Sequence, residues 1–202
     1  MVQPAATRRP TLLSRLVRAV VLWLYRRKGW RLEGAAPPGP KSVILGVPHT
    51  TNWDFVFFLG ATHDFGIAPR FMGKNSLFRW PMRRFMFDMG GVPVDRSAKG
   101  DYVRAMVEAF AAQDEFHLVV APEGTRSASR PWRSGFYHIA LGAGVPIVCA
   151  WVDNGRMAGG IGEVIWPSGD FATDMAKIRA FYETVIPGHP RLALIEAPEE
   201  IT

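Results

Sequence analysis

The chain has 202 residues, 48% of them apolar, and a formal net charge of +6. That is enough chain for one domain with a real core, and the 12% share of aromatic residues excludes a disordered polymer. The single cysteine, Cys149, excludes an intramolecular disulfide.

Residues 1–33 hold eight basic side chains and one acid, Glu33, so the remaining residues carry a net −1. A basic arm of this kind points to anionic lipid or nucleic acid. Residues 11–28 read as a helix, because Leu13, Leu16, Val17, Val20 and Leu24 recur at helical spacing with Arg15, Arg18 and Arg26 toward the other side. Trp23, Tyr25 and Trp30 suit a membrane interface. The apolar stretch 16–25 contains Arg18, lacks a small-residue cleavage site and is shorter than the ~20 apolar residues of a bilayer span. The expectation is a basic amphipathic helix lying on the membrane, in a stretch 1–33, followed after a Gly/Pro-rich break at 34–40 by a body of residues 34–202.

The body alternates strand and helix. Strands are predicted at 42–47, 70–72, 92–94, 117–121, 146–152 and 163–166. Helices are predicted at 52–65, 77–89, 99–112, 132–141 and 170–186, the first with Thr51 or Asn52 as N-cap. The alternation predicts an α/β fold: a single-domain mixed, mostly parallel sheet with helices on both faces.

Three segments carry chemistry. His49 follows the strand at 42–47, and Asp54 lies in the first turn of the next helix. Ligands of open α/β sheets bind outside the carboxyl ends of strands, where a His and an Asp can meet as base and orienting partner. The alternative is a loop His beside an Asp favoured by the helix dipole. The run Pro122, Glu123, Gly124, Thr125, Arg126, Ser127 also follows an apolar strand. Its glycine, hydroxyl and forked cation suit a phosphate, and equally a turn with a surface arginine. Asp95 and Arg96 close the short strand 92–94, where a structural ion pair is the plainer reading.

In this order and spacing the three segments resemble the phospholipid/glycerol acyltransferase family, which includes lysophosphatidic acid and glycerol-3-phosphate acyltransferases. His49 and Asp54 match its H-x4-D block, Arg96 its second block, the run 122–127 its third, and Val145 to Val148 its apolar fourth. Pro48, Thr51, Ala121 and Cys149 depart from the family's usual residues. The resemblance implies O-acyl transfer in phospholipid biosynthesis, with His49 as general base and Asp54 orienting it. The donor would be acyl-CoA or acyl carrier protein, and the acceptor the free hydroxyl of 1-acyl-glycerol-3-phosphate. Arg96, Gly124, Thr125 and Arg126 would hold the acceptor phosphate, with Glu123 organising the arginines. No metal and no resident cofactor are expected beyond the thioester co-substrate. The expected location is the cytoplasmic face of the cell membrane, as a peripheral protein touching anionic lipid. Other acceptors, such as glycerol-3-phosphate, an ornithine lipid or a glycolipid, and a non-catalytic lipid-binding role, are the competing readings.

Other residues read as structure. His63, His117, His138 and His189 lack metal-ligand spacing, and Cys149 in an apolar strand reads as buried and inert. No G-x-S-x-G elbow supports a hydrolase built on Ser127 or Ser129. No nucleic-acid-binding module accompanies the basic arm, whose apolar face fits lipid better. A second basic stretch (Arg70, Lys74, Arg79, Arg83, Arg84) lies among aromatics. It reads either as a contact for headgroups or donor phosphates or as a solvated face over core rings.

Overall fold

The computed structural model describes residues 9–94, 101–124 and 131–195. Fifteen segments of the chain are named below as α- and 3-10 helices and strands. In chain order, α1 is Leu12–Lys28, β1 Arg31–Glu33, β2 Lys41–Val47, α2 Asn52–Asp64 and β3 Pro69–Lys74. A 3-10 turn at Asn75–Phe78 leads to α3 (Arg83–Asp88), β4 (Gly91–Val94), α4 (Asp101–Ala111) and β5 (Phe116–Val120). Then come α5 (Gly135–Ala143), β6 (Ile147–Asp153), β7 (Ala158–Ile165), α6 (Phe171–Val185) and a 3-10 turn at Pro190–Leu194.

The strands form one sheet in the order β1-β7-β6-β2-β5-β3-β4. Among the described residues only the β6–β7 pair is antiparallel, so the expected mixed, mostly parallel sheet is what the chain builds. Alternation along β2 divides the core. Val43, Leu45 and Val47 face α4, α5 and α6 and pack with Phe110, Tyr137 and Ile178. Ile44 faces the other way, with Ile67, Val148 and Ile161 on the side covered by α2. All four mutually parallel inner strands end on the same edge of the sheet, which is where His49 and Glu123 emerge.

Two expected helices differ from those observed. The predicted helix 77–89 is interrupted, because Pro81 has no N–H to donate and clashes with a preceding helical turn; only α3 remains helical. The helix predicted from 132 begins at Gly135. The backbone N–H groups of Trp132 and Arg133 are instead engaged by Leu194 O and Pro122 O, at 3.1 and 3.0 Å. The short β1 and the Pro190–Leu194 turn were not predicted.

The arm is built into the body. Helix α1 is capped by Thr11 Oγ1, which accepts from Ser14 N–H, and ends at Gly29 in the left-handed region (φ 71°). Its buried face is Ser14, Val21 and Tyr25, whereas Leu13, Leu16 and Val20 of the predicted stripe stay exposed. Tyr25 sits directly over α2 at Gly60, where an added Cβ would enter the ring. Trp30 stacks on Tyr25 (centroids 5.9 Å) and meets Trp53 (6.2 Å), the residue before Asp54. β1 pairs in parallel with β7, so the stretch 1–33 and the stretch 34–202 share one sheet. Among the described residues, no helix is long and apolar enough to cross a membrane.

Candidate active site

The chain leaves β2 at Val47, turns out through Pro48 and His49, and re-enters regular structure at α2. Thr51 caps α2 in an extended conformation (φ −133°, ψ 170°) and completes a reciprocal capping box with Asp54. Asp54 is 6% exposed and gathers the donors of this loop. Its Oδ2 accepts from the N–H of Thr50 and of Thr51, both at 2.6 Å, and its Oδ1 from Thr51 Oγ1 at 3.0 Å. Asp54 is thus the carboxylate of the capping box that opens α2.

Two residues from distant parts of the chain finish the arrangement. Asn154, in the turn between β6 and β7, donates Nδ2–H to Asp54 Oδ1 at 2.7 Å. Its own Oδ1 is buried without a hydrogen-bond partner among the described residues. The carboxylate of Glu123, fully buried, accepts the His49 backbone N–H at 3.2 and 3.3 Å to its two oxygens. Arg191 Nη1 lies 3.2 Å from Glu123 Oε2. Burial pushes the Glu123 carboxyl up from its ordinary range, and the His49 N–H and Arg191 offset only part of that rise. Arg191 is presented by the Pro190–Leu194 turn, whose cap, His189 Nδ1, accepts the Arg191 N–H at 3.2 Å.

A cavity of about 1240 Å³ is lined in part by His49 and Asp54. On one face of the sheet it lies between Ile44, Val119, Ala150 and Ile161 of the strands and Phe57, Phe58 and Ala61 of α2, and on the other it reaches Tyr102, Trp132 and Phe136. The lining is thus largely apolar with His49 and the buried Asp54 within it, which suits an apolar ligand with one reactive end. Gly124, also on the cavity wall, turns the chain in the left-handed region (φ 73°), and Arg133 packs against it there. A Cβ at Gly124 would stand 3.0 Å from Arg133 Nε, so glycine meets both the conformation and the space.

The structure therefore gathers His49, Asp54, Glu123 and Gly124 at one end of the sheet. Arg96, Thr125 and Arg126, like Ser127 and Ser129, lie outside the described residues; β4 ends at Val94, itself on the cavity wall. Glu123 holds the His49 backbone and Arg191, a partner the sequence analysis did not assign. Asn154, Arg133 and Arg191 were all missed there. Each stands outside the three segments, and nothing in local periodicity marks it. Cys149 is buried, as expected, and burial pushes its thiol up to about 12.

A family model described as Acyltransferase matches residues 34–153. The 1-acyl-sn-glycerol-3-phosphate acyltransferase of Haemophilus influenzae is 28% identical over 136 residues, covering 62% of this chain and 55% of that protein. The protein of the same name from Salmonella typhimurium is 30% identical over 112 residues, covering 52% of this chain and 44% of that one. The one from Limnanthes alba is 26% identical over 145 residues, 68% of this chain and 49% of its own. The matched stretches span about half the length of these relatives. Among solved structures, the crystal structure of the 1-acyl-sn-glycerophosphate (LPA) acyltransferase PlsC from Thermotoga maritima superposes with a TM-score of 0.53 at 21% identity. It covers 93% of this chain and 83% of that one, a likeness of fold.

Proposed function

The chain belongs to the acyltransferase family, and on that premise we propose that it transfers a fatty acyl group from acyl-CoA or acyl carrier protein to the free hydroxyl of 1-acyl-glycerol-3-phosphate. The observation that carries this reading is the apolar cavity lined by His49, Asp54 and the inner face of α2. It suits an acyl chain with its thioester carbonyl beside His49. His49 takes the proton of the acceptor hydroxyl as the oxygen attacks that carbonyl. The carbon–sulfur bond then breaks, the ester forms, and the thiolate leaves with the carrier. Asp54 orients the imidazole and stabilises the imidazolium. The thioester is already activated, so the step needs neither a covalent acyl-enzyme nor a resident cofactor.

The acceptor phosphate is assigned to Arg96, Thr125 and Arg126, with Gly124 allowing close approach and Arg133 adding a cation beside it. The exposed face of α1 (Leu12, Leu13, Leu16, Val20 and Trp23), with Arg15, Arg26 and Arg27 around it, is assigned to an anionic membrane. In this reading the protein is peripheral, on the cytoplasmic face.

The test crosses acceptors with donors and reads products by mass spectrometry. Lysophosphatidic acid, glycerol-3-phosphate, an ornithine lipid and a phosphate-free monoacylglycerol are each offered with acyl-CoA and with acyl carrier protein. Product is expected with lysophosphatidic acid; no product from any pair would leave only a lipid-binding protein. Arg96→Ala and Arg126→Ala are expected to lose about 10- to 100-fold in kcat/KM on the phosphate-bearing acceptor, the worth of a hydrogen bond to a charged group. They should lose little on monoacylglycerol, and equal losses on both acceptors would remove the phosphate assignment.

Asn154 is a positioning residue in this scheme. Asn154→Leu is expected to lower kcat about 10-fold with little change in KM, because one charge-assisted bond to Asp54 is lost. With fewer donors the Asp54 charge stabilises the imidazolium more, so the acid limb of the pH–rate profile should move to higher pH. An unmoved pH profile in a folded variant would reduce Asn154 to a loop tie.

A further inference from the structure

The connection between β3 and β4 carries a surface that the active site does not use. Leu77, Trp80, Met82 and Phe87 face solvent there, and Trp80 is 90% exposed. Arg79, Arg83 and Arg84 are exposed among them. Side-by-side apolar groups on a surface mark a contact with something apolar. This patch adjoins the N-terminal end of α1. Asp88, the last residue of α3, accepts from Thr11 N–H at 2.9 Å and from Ser14 Oγ–H at 2.7 Å. Arg84 Nη2 donates to Arg9 O at 3.1 Å. Exposed Leu12 and Leu13 of α1 lie between the two residues, Thr11 and Ser14, that bond Asp88.

We propose that residues 75–87 are a second lipid-docking element, seated on an anionic bilayer leaflet beside α1 and tied to it through Asp88. The proposal rests on the membrane reading of α1 given above and extends it to a part of the chain outside the N-terminal arm. Charge complementarity identifies the occupant. Arginines interleaved with a Trp, a Leu, a Met and a Phe match a surface whose headgroups are negative and whose interior is apolar. The broken helix at Pro81 serves this end, since a short exposed turn can lower Trp80 into the headgroup layer while Phe78 stays buried in the body. An acidic protein would pair with the arginines but would not call for a lone indole projecting from the surface.

The experiment uses the full chain and vesicles of phosphatidylcholine with or without phosphatidylglycerol. Trp80→Cys is labelled with an environment-sensitive dye; Cys149 is buried and does not compete for the label. The dye should shift to shorter wavelength on the anionic vesicles. In co-sedimentation, Leu77→Ser with Trp80→Ser should pellet several-fold less than wild type. Arg79→Gln and Arg83→Gln should each lose about 5-fold in partitioning, the worth of ~1 kcal/mol per basic residue near an anionic surface. Wild-type partitioning by the serine variant, or a dye that answers an acidic carrier protein and not the vesicles, overturns the proposal. Turnover on a soluble short-chain acceptor separates the two readings. Its absence in the wild type counts against acyl transfer, whereas the docking element stands or falls on the vesicle measurements.

Discussion

Replacing His49 by Ala is expected to lower turnover by about 10²- to 10⁴-fold, the usual contribution of a positioned general base. The fold should survive, because the hydrogen bond that His49 makes to Glu123 comes from its backbone N–H, which Ala keeps. Circular dichroism and a thermal melt against wild type check that part. Asp54→Asn should also lose activity, for two reasons of different kind. It removes the charge that supports the imidazolium. It also sets an amide among donors, since Thr50 N–H, Thr51 N–H, Thr51 Oγ and Asn154 Nδ2 all point at this carboxylate. The second effect costs stability by about 1–3 kcal/mol, because a buried donor is left without an acceptor. The double variant separates the two. If the residues act as a unit, His49→Ala with Asp54→Asn should be no slower than His49→Ala alone, although less stable. Near wild-type turnover by folded His49→Ala would falsify the general-base assignment.

The second large effect is expected at Arg191. Arg191→Leu leaves the fully buried Glu123 carboxylate without its cation, and breaking a buried pair from one side costs about 3–5 kcal/mol. Turnover should fall as well, since the same carboxylate holds the His49 backbone in place. The pH dependence follows from Glu123. Its carboxyl already sits above the ordinary range because it is buried, and losing Arg191 raises it further. A carboxyl whose folded value is raised binds its proton more tightly in the folded state. Folding is then favoured at acid pH and penalised as pH rises from the ordinary glutamate range through the folded value. The Arg191→Leu deficit should therefore be largest near neutral pH and shrink on mild acidification, as read by urea unfolding at both. Arg191→Lys should recover part of it. A deficit of constant size across that window would mean that Arg191 acts through packing and not through Glu123.

Much of the fold was legible because its signals are local. The apolar runs bounded by turn residues located β2, β5 and β6 to within about a residue; Thr51 capped α2 as expected, and α6 began one residue after its expected start at Asp170. Elements failed where a local signal met a competitor. Pro81 broke a helix that periodicity favoured. Two backbone groups near Trp132 were spent on tertiary partners before α5 began. β1 is three residues long and exists because Gly160, without a side chain, lets Glu33 O approach β7.

The same division runs through the candidate site. His49 and Asp54 were readable because a strand end and the first turn of the next helix lie within one short stretch, so both fall at the same end of the sheet and line one cavity. The H-x4-D spacing, the 122–127 run and the alternating pattern were thus determined by the sequence itself, and with them the family and the sheet. Tertiary structure alone decided which face of α1 is buried, where the apolar cavity runs, and that Glu123, Arg191 and Asn154 meet at His49 and Asp54. Glu123 stands 74 positions from His49, and Asn154 stands 100 from Asp54. At such separations a polar side chain carries no periodic mark of its partner, and only the path of the folded chain brings them within hydrogen-bond reach.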